Sequence, residues 1–195
     1  MIYLNLLEKK WAYFFYLFDT NQDGVLECED FEIILSRLDR SPKTDFSPIQ
    51  IKYFLLQINK FFDILALECG VKKERKITLS HWMSLLSKSG GDMNAKAMRF
   101  FRFSLIKYVF DFFDINRDGF IDFNEFQELY NVFGIEDRQI IFAFLKLDSN
   151  QDGLLSRAEL DYSLLAFFTK MEVDDLNYMF GEFHQPSQYY YKYAM

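Results

Sequence analysis

Asp114-Ile-Asn-Arg-Asp-Gly-Phe-Ile-Asp-Phe-Asn-Glu125 is the stretch whose reading decides the fold of this chain. It matches the calcium-loop pattern D-x-[DN]-x-[DN]-G-x5-E at every required position. Calcium is a hard cation that takes six to eight oxygens at roughly 2.3–2.6 Å, and the pattern delivers them in order. Asp114, Asn116 and Asp118 supply side-chain oxygens as the chain curls. Gly119 permits the sharp turn, because glycine tolerates positive φ. Phe120 offers its backbone carbonyl, Asp122 acts directly or through water, and Glu125 closes the site with both carboxylate oxygens. Working outward, Val109, Phe110 and Phe113 precede the loop at helical spacing, and Phe126, Leu129 and Tyr130 follow it. Ligands inside and amphipathic flanks outside predict a helix–loop–helix unit.

The same arrangement recurs twice. Asp19-Thr-Asn-Gln-Asp-Gly-Val-Leu-Glu-Cys-Glu-Asp30 offers Asp19, Asn21, Asp23, the Val25 carbonyl, Glu27 and a closing Asp30. Aspartate is one methylene shorter than the expected glutamate. It reaches an ion more easily with one oxygen than with two, which moves this site toward six-coordinate magnesium. Residues 4–18 read as its entering helix, with Trp11, Phe14, Phe15 and Phe18 on the apolar face, and Phe31, Ile34, Leu35 and Leu38 mark the exit helix. Asp148-Ser-Asn-Gln-Asp-Gly-Leu-Leu-Ser-Arg-Ala-Glu159 offers Asp148, Asn150, Asp152, the Leu154 carbonyl, Ser156 and Glu159. With serine at the ninth place it carries one carboxylate fewer than the loop at 114–125. Its entering helix is expected over about 137–147.

A fourth stretch, Gly70-Val-Lys-Lys-Glu-Arg-Lys-Ile-Thr-Leu-Ser-His81, aligns through Ile77 at the eighth place, where Leu26, Ile121 and Leu155 stand in the other loops. There paired loops touch through a short β-bridge. On this register Gly70, Lys72, Arg75 and His81 displace ligands and the turn glycine. Positive side chains cannot coordinate calcium, so this loop is expected to be empty and to serve as a packing partner, with His81 and Trp82 structural. The chain therefore reads as all-α, four helix–loop–helix units in two pairs, the second unit degenerate. Ser47 and Pro48 look like the N-cap and first residue of a long helix reaching about Glu68. The glycine-bearing polar run from Ser87 to Asn94 is the best boundary. It separates an N-terminal pair, 1–88, from a C-terminal pair with both loops active, 95–182. Val173 to Phe180 could form a short helix, and 183–195 is an aromatic tail without usable period.

Composition narrows the function. The chain has 195 residues and a net charge of −7, which argues against nucleic acid because that partner needs a basic patch. Two cysteines, Cys28 and Cys69, form no disulfide framework and no zinc spacing, so a reducing cytoplasm is expected. The first residues meet their charges too early for a signal peptide, no apolar run reaches the roughly 18 residues of a membrane span, and no lipidation box is present. A monomer is expected. With two histidines, no Gly-rich phosphate loop, no G-x-S-x-G and no Cys–His arrangement, catalytic residues are not expected.

Phe14-Phe-Tyr-Leu-Phe-Asp-Thr-Asn-Gln-Asp-Gly-Val-Leu-Glu27 with Asp30-Phe-Glu32, the long insert before the degenerate loop, Ile77-Thr-Leu-Ser-His-Trp82 and Asn177-Tyr-Met-Phe-Gly181 resemble the invertebrate sarcoplasmic calcium-binding proteins, especially calexcitin. The resemblance covers nearly the whole chain. It implies an EF-hand protein that buffers or senses calcium in the cytosol. Coelenterazine-binding proteins and calcium-activated photoproteins share the architecture, which adds a calcium-triggered carrier of an apolar ligand as the alternative. Photoproteins place a histidine on the last exit helix and a tyrosine before the C-terminal glycine. Leu160–Phe168 contains no histidine and Phe180 precedes Gly181, so light emission is not expected. Met83, Met93, Met98, Met171 and Met179 are scattered, which favours a buffer over a Met-lined sensor groove.

Overall fold

Asn5 opens the first helix by a reciprocal cap: its side chain accepts from the Glu8 amide, and the Glu8 carboxylate accepts from the Asn5 amide. The computed structural model describes residues 5–39, 47–88, 96–135, 137–171 and 179–180. Within them the order is α1 (Leu6–Phe18), β1 (Val25–Leu26), α2 (Cys28–Asp39), α3 (Pro48–Glu68), β2 (Ile77–Thr78), α4 (Leu79–Lys88), α5 (Lys96–Phe113), α6 (Phe123–Val132), α7 (Asp137–Leu147) and α8 (Arg157–Thr169). The fold is all-α, with four helix–loop–helix units. The same capping box starts α3 from Ser47 and Gln50, α6 from Asp122 and Glu125, and α8 from Ser156 and Glu159. Such caps satisfy amides that the first helical turn leaves without partners. In α6 and α8 the cap is built from residues the sequence names as ion ligands, so one pair of side chains both starts the helix and closes the loop.

The loops pair back to back. Antiparallel β1 and β2 set Val25 opposite Thr78 and Leu26 opposite Ile77. Ile121 and Leu155 form the matching bridge, with N–O distances of 3.0 and 2.9 Å in the two directions. All four of these eighth-place residues are buried, Leu26 at 3% exposure and the other three at 0%. Aligning the chain on Ile77 is therefore the register the backbone adopts.

Both pairs share one hydrophobic core. Phe14 stands at its centre, stacked on Trp82 at 5.5 Å and edge-on to Phe101, Phe168 and Phe180 at 5.5, 5.1 and 5.1 Å. Aromatic pairs at such distances add roughly 0.5–1.5 kcal/mol each beyond simple burial. Polar staples then tie α1 to both neighbours. Trp82 Nε1 donates to the Trp11 carbonyl at 2.8 Å, and Trp11 Nε1 donates to the Phe168 carbonyl at 3.1 Å. The fully buried Lys10 donates to the Lys170 carbonyl at 2.7 Å. The last carbonyls of α8 lack helical partners, and α1 supplies them. Tyr13 and Tyr130 donate to the carbonyls of Phe180 and Met179. An apolar cavity of about 80 Å³ lies between α2, α3, α5 and α6, with Phe31, Phe54, Phe61, Val109, Leu129 and Met179 in its wall.

No helix among the described residues is long and apolar enough to cross a membrane. The tail 183–195, most of the boundary run and most of the short helix expected at Val173–Phe180 lie outside the described residues.

Candidate metal centres

Three loops repeat one hydrogen-bond scaffold. The first-place aspartate accepts from the turn-glycine amide: Gly24 to Asp19 at 3.0 Å, Gly119 to Asp114 at 3.0 Å and Gly153 to Asp148 at 2.9 Å. The third-place asparagine accepts from the fifth-place amide, in Asn21, Asn116 and Asn150 alike. The fifth-place aspartate accepts from the seventh-place amide, in Asp23, Asp118 and Asp152. These bonds fix the curl and leave the seventh-place carbonyls of Val25, Phe120 and Leu154 outside the side-chain scaffold. The curl needs left-handed backbone at Gly24, Gly119 and Gly153, with φ of +84, +86 and +81°. Glycine takes that conformation without steric cost.

The closing carboxylates are anchored alike. Glu125 accepts from the amides of Ile115, Asn116 and Asp122 at 2.8, 3.2 and 2.9 Å. Glu159 accepts from the Ser149 and Ser156 amides, and from both hydroxyls. Asp30, though shorter, reaches the equivalent amides of Thr20, Asn21 and Glu27 at 2.9, 3.3 and 2.9 Å, and adds the Thr20 hydroxyl at 3.3 Å. A shorter closing residue thus keeps its backbone anchors and is drawn wholly into the protein, at 0% exposure.

The electrostatics suit a cation. Burial pushes Asp19 above the ordinary carboxylate range, helped by Asp30 and Asp23 and opposed by the Gly24 amide. Burial likewise raises Asp30 and Glu125 against the pull of their loop amides. Burial also acts upward on Glu159, but hydrogen bonds from Ser156 and Ser149 outweigh it and hold this group low. Asp114 Oδ1 is buried and accepts no hydrogen bond, whereas Asp19 Oδ1 and Asp148 Oδ1 each accept from the fifth-place amide. An unpaired buried carboxylate oxygen in a ring of further oxygens is a donor that fits a hard divalent ion. Among the described residues no three His, Cys, Asp or Glu side chains converge as a finished cage, because the carboxylates rest on loop amides.

The fourth loop keeps the turn and loses the ligands. Arg75, at the glycine place, retains a φ of +51°. Its guanidinium pairs with Asp63 at 3.1 Å, donates to Asn59 at 3.0 Å and lies 5.6 Å from the centre of the Phe62 ring, all on α3. His81 takes the place of a capping glutamate: its Nδ1 accepts from the Thr78 amide and its own amide donates to Thr78, both at 3.3 Å. Trp82 is fully buried. Lys76 pairs with Glu27 at 3.0 Å across the ladder. Reading ligands alone missed the work of Arg75 and Lys76. The Ile77 alignment carried the signal for Lys76, since the residue before Ile77 must face the residue after Leu26.

The family described as EF hand matches residues 105–130 and 141–161, the third and fourth units. Calexcitin-1 of Caenorhabditis elegans is 21% identical over 181 residues, covering 90% of this chain and 86% of that protein. The calcium-loaded apo form of coelenterazine-binding protein from Renilla muelleri superposes with a TM-score of 0.70 at 20% identity, over 92% of this chain and 99% of that one. The sarcoplasmic calcium-binding protein of amphioxus gives 0.68 at 18% identity, with the same coverage of 92% and 99%.

Proposed function

Starting from an EF-hand chain of the sarcoplasmic calcium-binding-protein and calexcitin kind, we propose that it is a non-enzymatic calcium buffer or weak sensor holding three ions. Loop 114–125 would bind through Asp114, Asn116, Asp118, Phe120, Asp122 and Glu125. Loop 148–159 would bind through Asp148, Asn150, Asp152, Leu154, Ser156 and Glu159. Loop 19–30 would bind through Asp19, Asn21, Asp23, Val25, Glu27 and Asp30, with magnesium as an alternative occupant. The observation that carries this reading is the shared loop scaffold, with Asp114 Oδ1 buried and unpaired in it. The ion supplies the positive charge that buried carboxylates otherwise lack. The chain's own residues fix their oxygens, bury them and couple paired loops through the β-bridges. The halves 1–88 and 95–182 act as two binding pairs on one core.

Cytoplasmic placement as a monomer goes with this reading. Cys28 and Cys69 are free thiols, and burial pushes Cys69 up to about 11. Calorimetric calcium titration, with and without magnesium and with a hydrophobic dye present, tests it. The expected result is three ions, one of them weakened by magnesium, and little dye signal. Fewer than three sites in the absence of magnesium would refute it, and a strong calcium-dependent dye signal would turn the buffer into a sensor.

The second reading is a calcium-triggered carrier of an apolar ligand. The near-absence of polar wall in the cavity supports it. At about 80 Å³ that cavity is smaller than an engineered cavity of roughly 150 Å³ that admits benzene, so a larger ligand requires the core to open. Saturation of the apoprotein with coelenterazine at micromolar concentration, released by calcium, would establish it.

A further inference from the structure

We propose that Lys76 of the empty loop sets the ion affinity of loop 19–30 by holding Glu27 in a cross-strand ion pair. This rests on the reading that loop 19–30 binds a divalent ion. The register brings the two together: with Val25 opposite Thr78 and Leu26 opposite Ile77, the next rung sets Glu27 opposite Lys76. The two side chains meet at 3.0 Å, and Glu27 is the more enclosed partner, at 21% side-chain exposure against 60% for Lys76. Residues directly opposite in an antiparallel pair stand close enough for their side chains to interact.

At the equivalent rung of the C-terminal pair no cation stands opposite. There the Ile121–Leu155 bridge sets Asp122 opposite Leu154 and Phe120 opposite Ser156. Asp122 is free of an opposing charge and turns inward, accepting from the Glu125 amide at 2.9 Å. Glu27 instead pairs with an ammonium. An exposed ion pair is weak by itself, so it does not lock Glu27 away. It does cancel much of one of the four carboxylate charges, Asp19, Asp23, Glu27 and Asp30, that would face the ion. Affinity in such loops follows ligand charge count. Calcium gains more than magnesium from a released, flexible ninth-place oxygen, because magnesium keeps its waters. The empty unit then does more than pack: through the Lys76–Glu27 pair it weakens its partner and tilts it away from calcium.

The test is calcium titration of the full chain by NMR, reading the amides of Gly24, Gly119 and Gly153 as separate reporters of the three loops. Lys76→Met and Lys76→Gln should raise calcium affinity at the Gly24 site by roughly 2–5-fold, the range an exposed ion pair supports. The other two sites should not move. Lys76→Arg should behave as wild type. In a Glu27→Gln background, Lys76→Met should add little, because the lysine acts through Glu27. Circular dichroism confirms that each variant folds. Unchanged affinity in both neutral variants overturns the proposal, as does an equal gain in the Glu27→Gln background. A Gly24 amide that never responds to calcium or magnesium, in any variant, removes the underlying reading of the loop as well.

Discussion

The N-terminal and C-terminal pairs are built on one plan and diverge at the rung of the ladder beside the proposed ion sites. In the C-terminal pair both loops carry ligands, and Leu154 and Phe120 flank the bridge. In the N-terminal pair one loop carries cations in place of the ligand pattern, and two of them meet other parts of the protein. Arg75 clamps the turn to α3, and Lys76 meets Glu27. A unit without the ligand pattern need not unravel. Arg75 and Lys76 tie its loop to α3 and to the paired loop, while hydrophobic contacts from the same unit keep the pair docked.

The largest effect should come from removing that docking. Trp82→Ala deletes a fully buried indole and its bond to the Trp11 carbonyl. Thermal or urea unfolding should show a loss of about 3–5 kcal/mol. A loss below 1 kcal/mol would mean that the empty unit is not a structural partner at all.

Next come the closing glutamates. Glu125→Gln and Glu159→Gln each remove a bidentate anion, and each should weaken its own site on the order of 100-fold, with a modest loss at the bridged neighbour. Asp30→Glu should do the opposite in the N-terminal pair, raising calcium over magnesium at that loop alone. Calorimetry at millimolar magnesium reads both. Identical behaviour of all three loops would erase the proposed contrast between the pairs.

Arg75 sharpens the comparison on a smaller scale. Its partners are partly exposed, so Arg75→Ala should cost only about 1 kcal/mol. Arg75→Gly loses the same clamp but relieves the left-handed backbone, and should recover a few tenths of that loss. Denaturant midpoints of the two variants decide it, and an alanine variant no weaker than the glycine one would deny any strain at φ +51°.

The smallest effect is in pH. Asp19, Asp30 and Glu125 are raised by burial in the ion-free fold. Their favourable contribution is present below their unfolded values and lost as pH rises through the folded ones. Glu159 is lowered and opposes this trend. In chelator, the three raised groups should therefore destabilise the fold as pH climbs from acid toward neutral. Calcium competes with those protons, so the gap between melting temperatures in calcium and in chelator should widen with pH. A gap that narrows would contradict the burial argument.

Most of the fold was legible because each ligand pattern sat between apolar stripes of helical period. Phe14, Phe110, Phe126 and Leu160 are all buried as that period requires. The caps were legible in part: Ser47 with Pro48 was plain, but the capping roles of Glu125 and Ser156 were hidden behind their reading as ligands. The staples from Lys10, Trp11 and Tyr13 to the carbonyls of Lys170, Phe168 and Phe180 were not legible. They join segments far apart in the chain through backbone acceptors, which carry no residue signature. Lys76 was legible in principle, since its partner follows from the register of Ile77, yet at the seventh place only the backbone carbonyl counts toward an ion, so its side chain drew no reading.

Three loops are proposed to take ions and the fourth to take none. The most direct measurement is anomalous diffraction from crystals saturated with calcium. The account predicts ions in loops 19–30, 114–125 and 148–159, and none within 70–81. An ion in 70–81, or a calcium-saturated crystal with 114–125 empty, would contradict it.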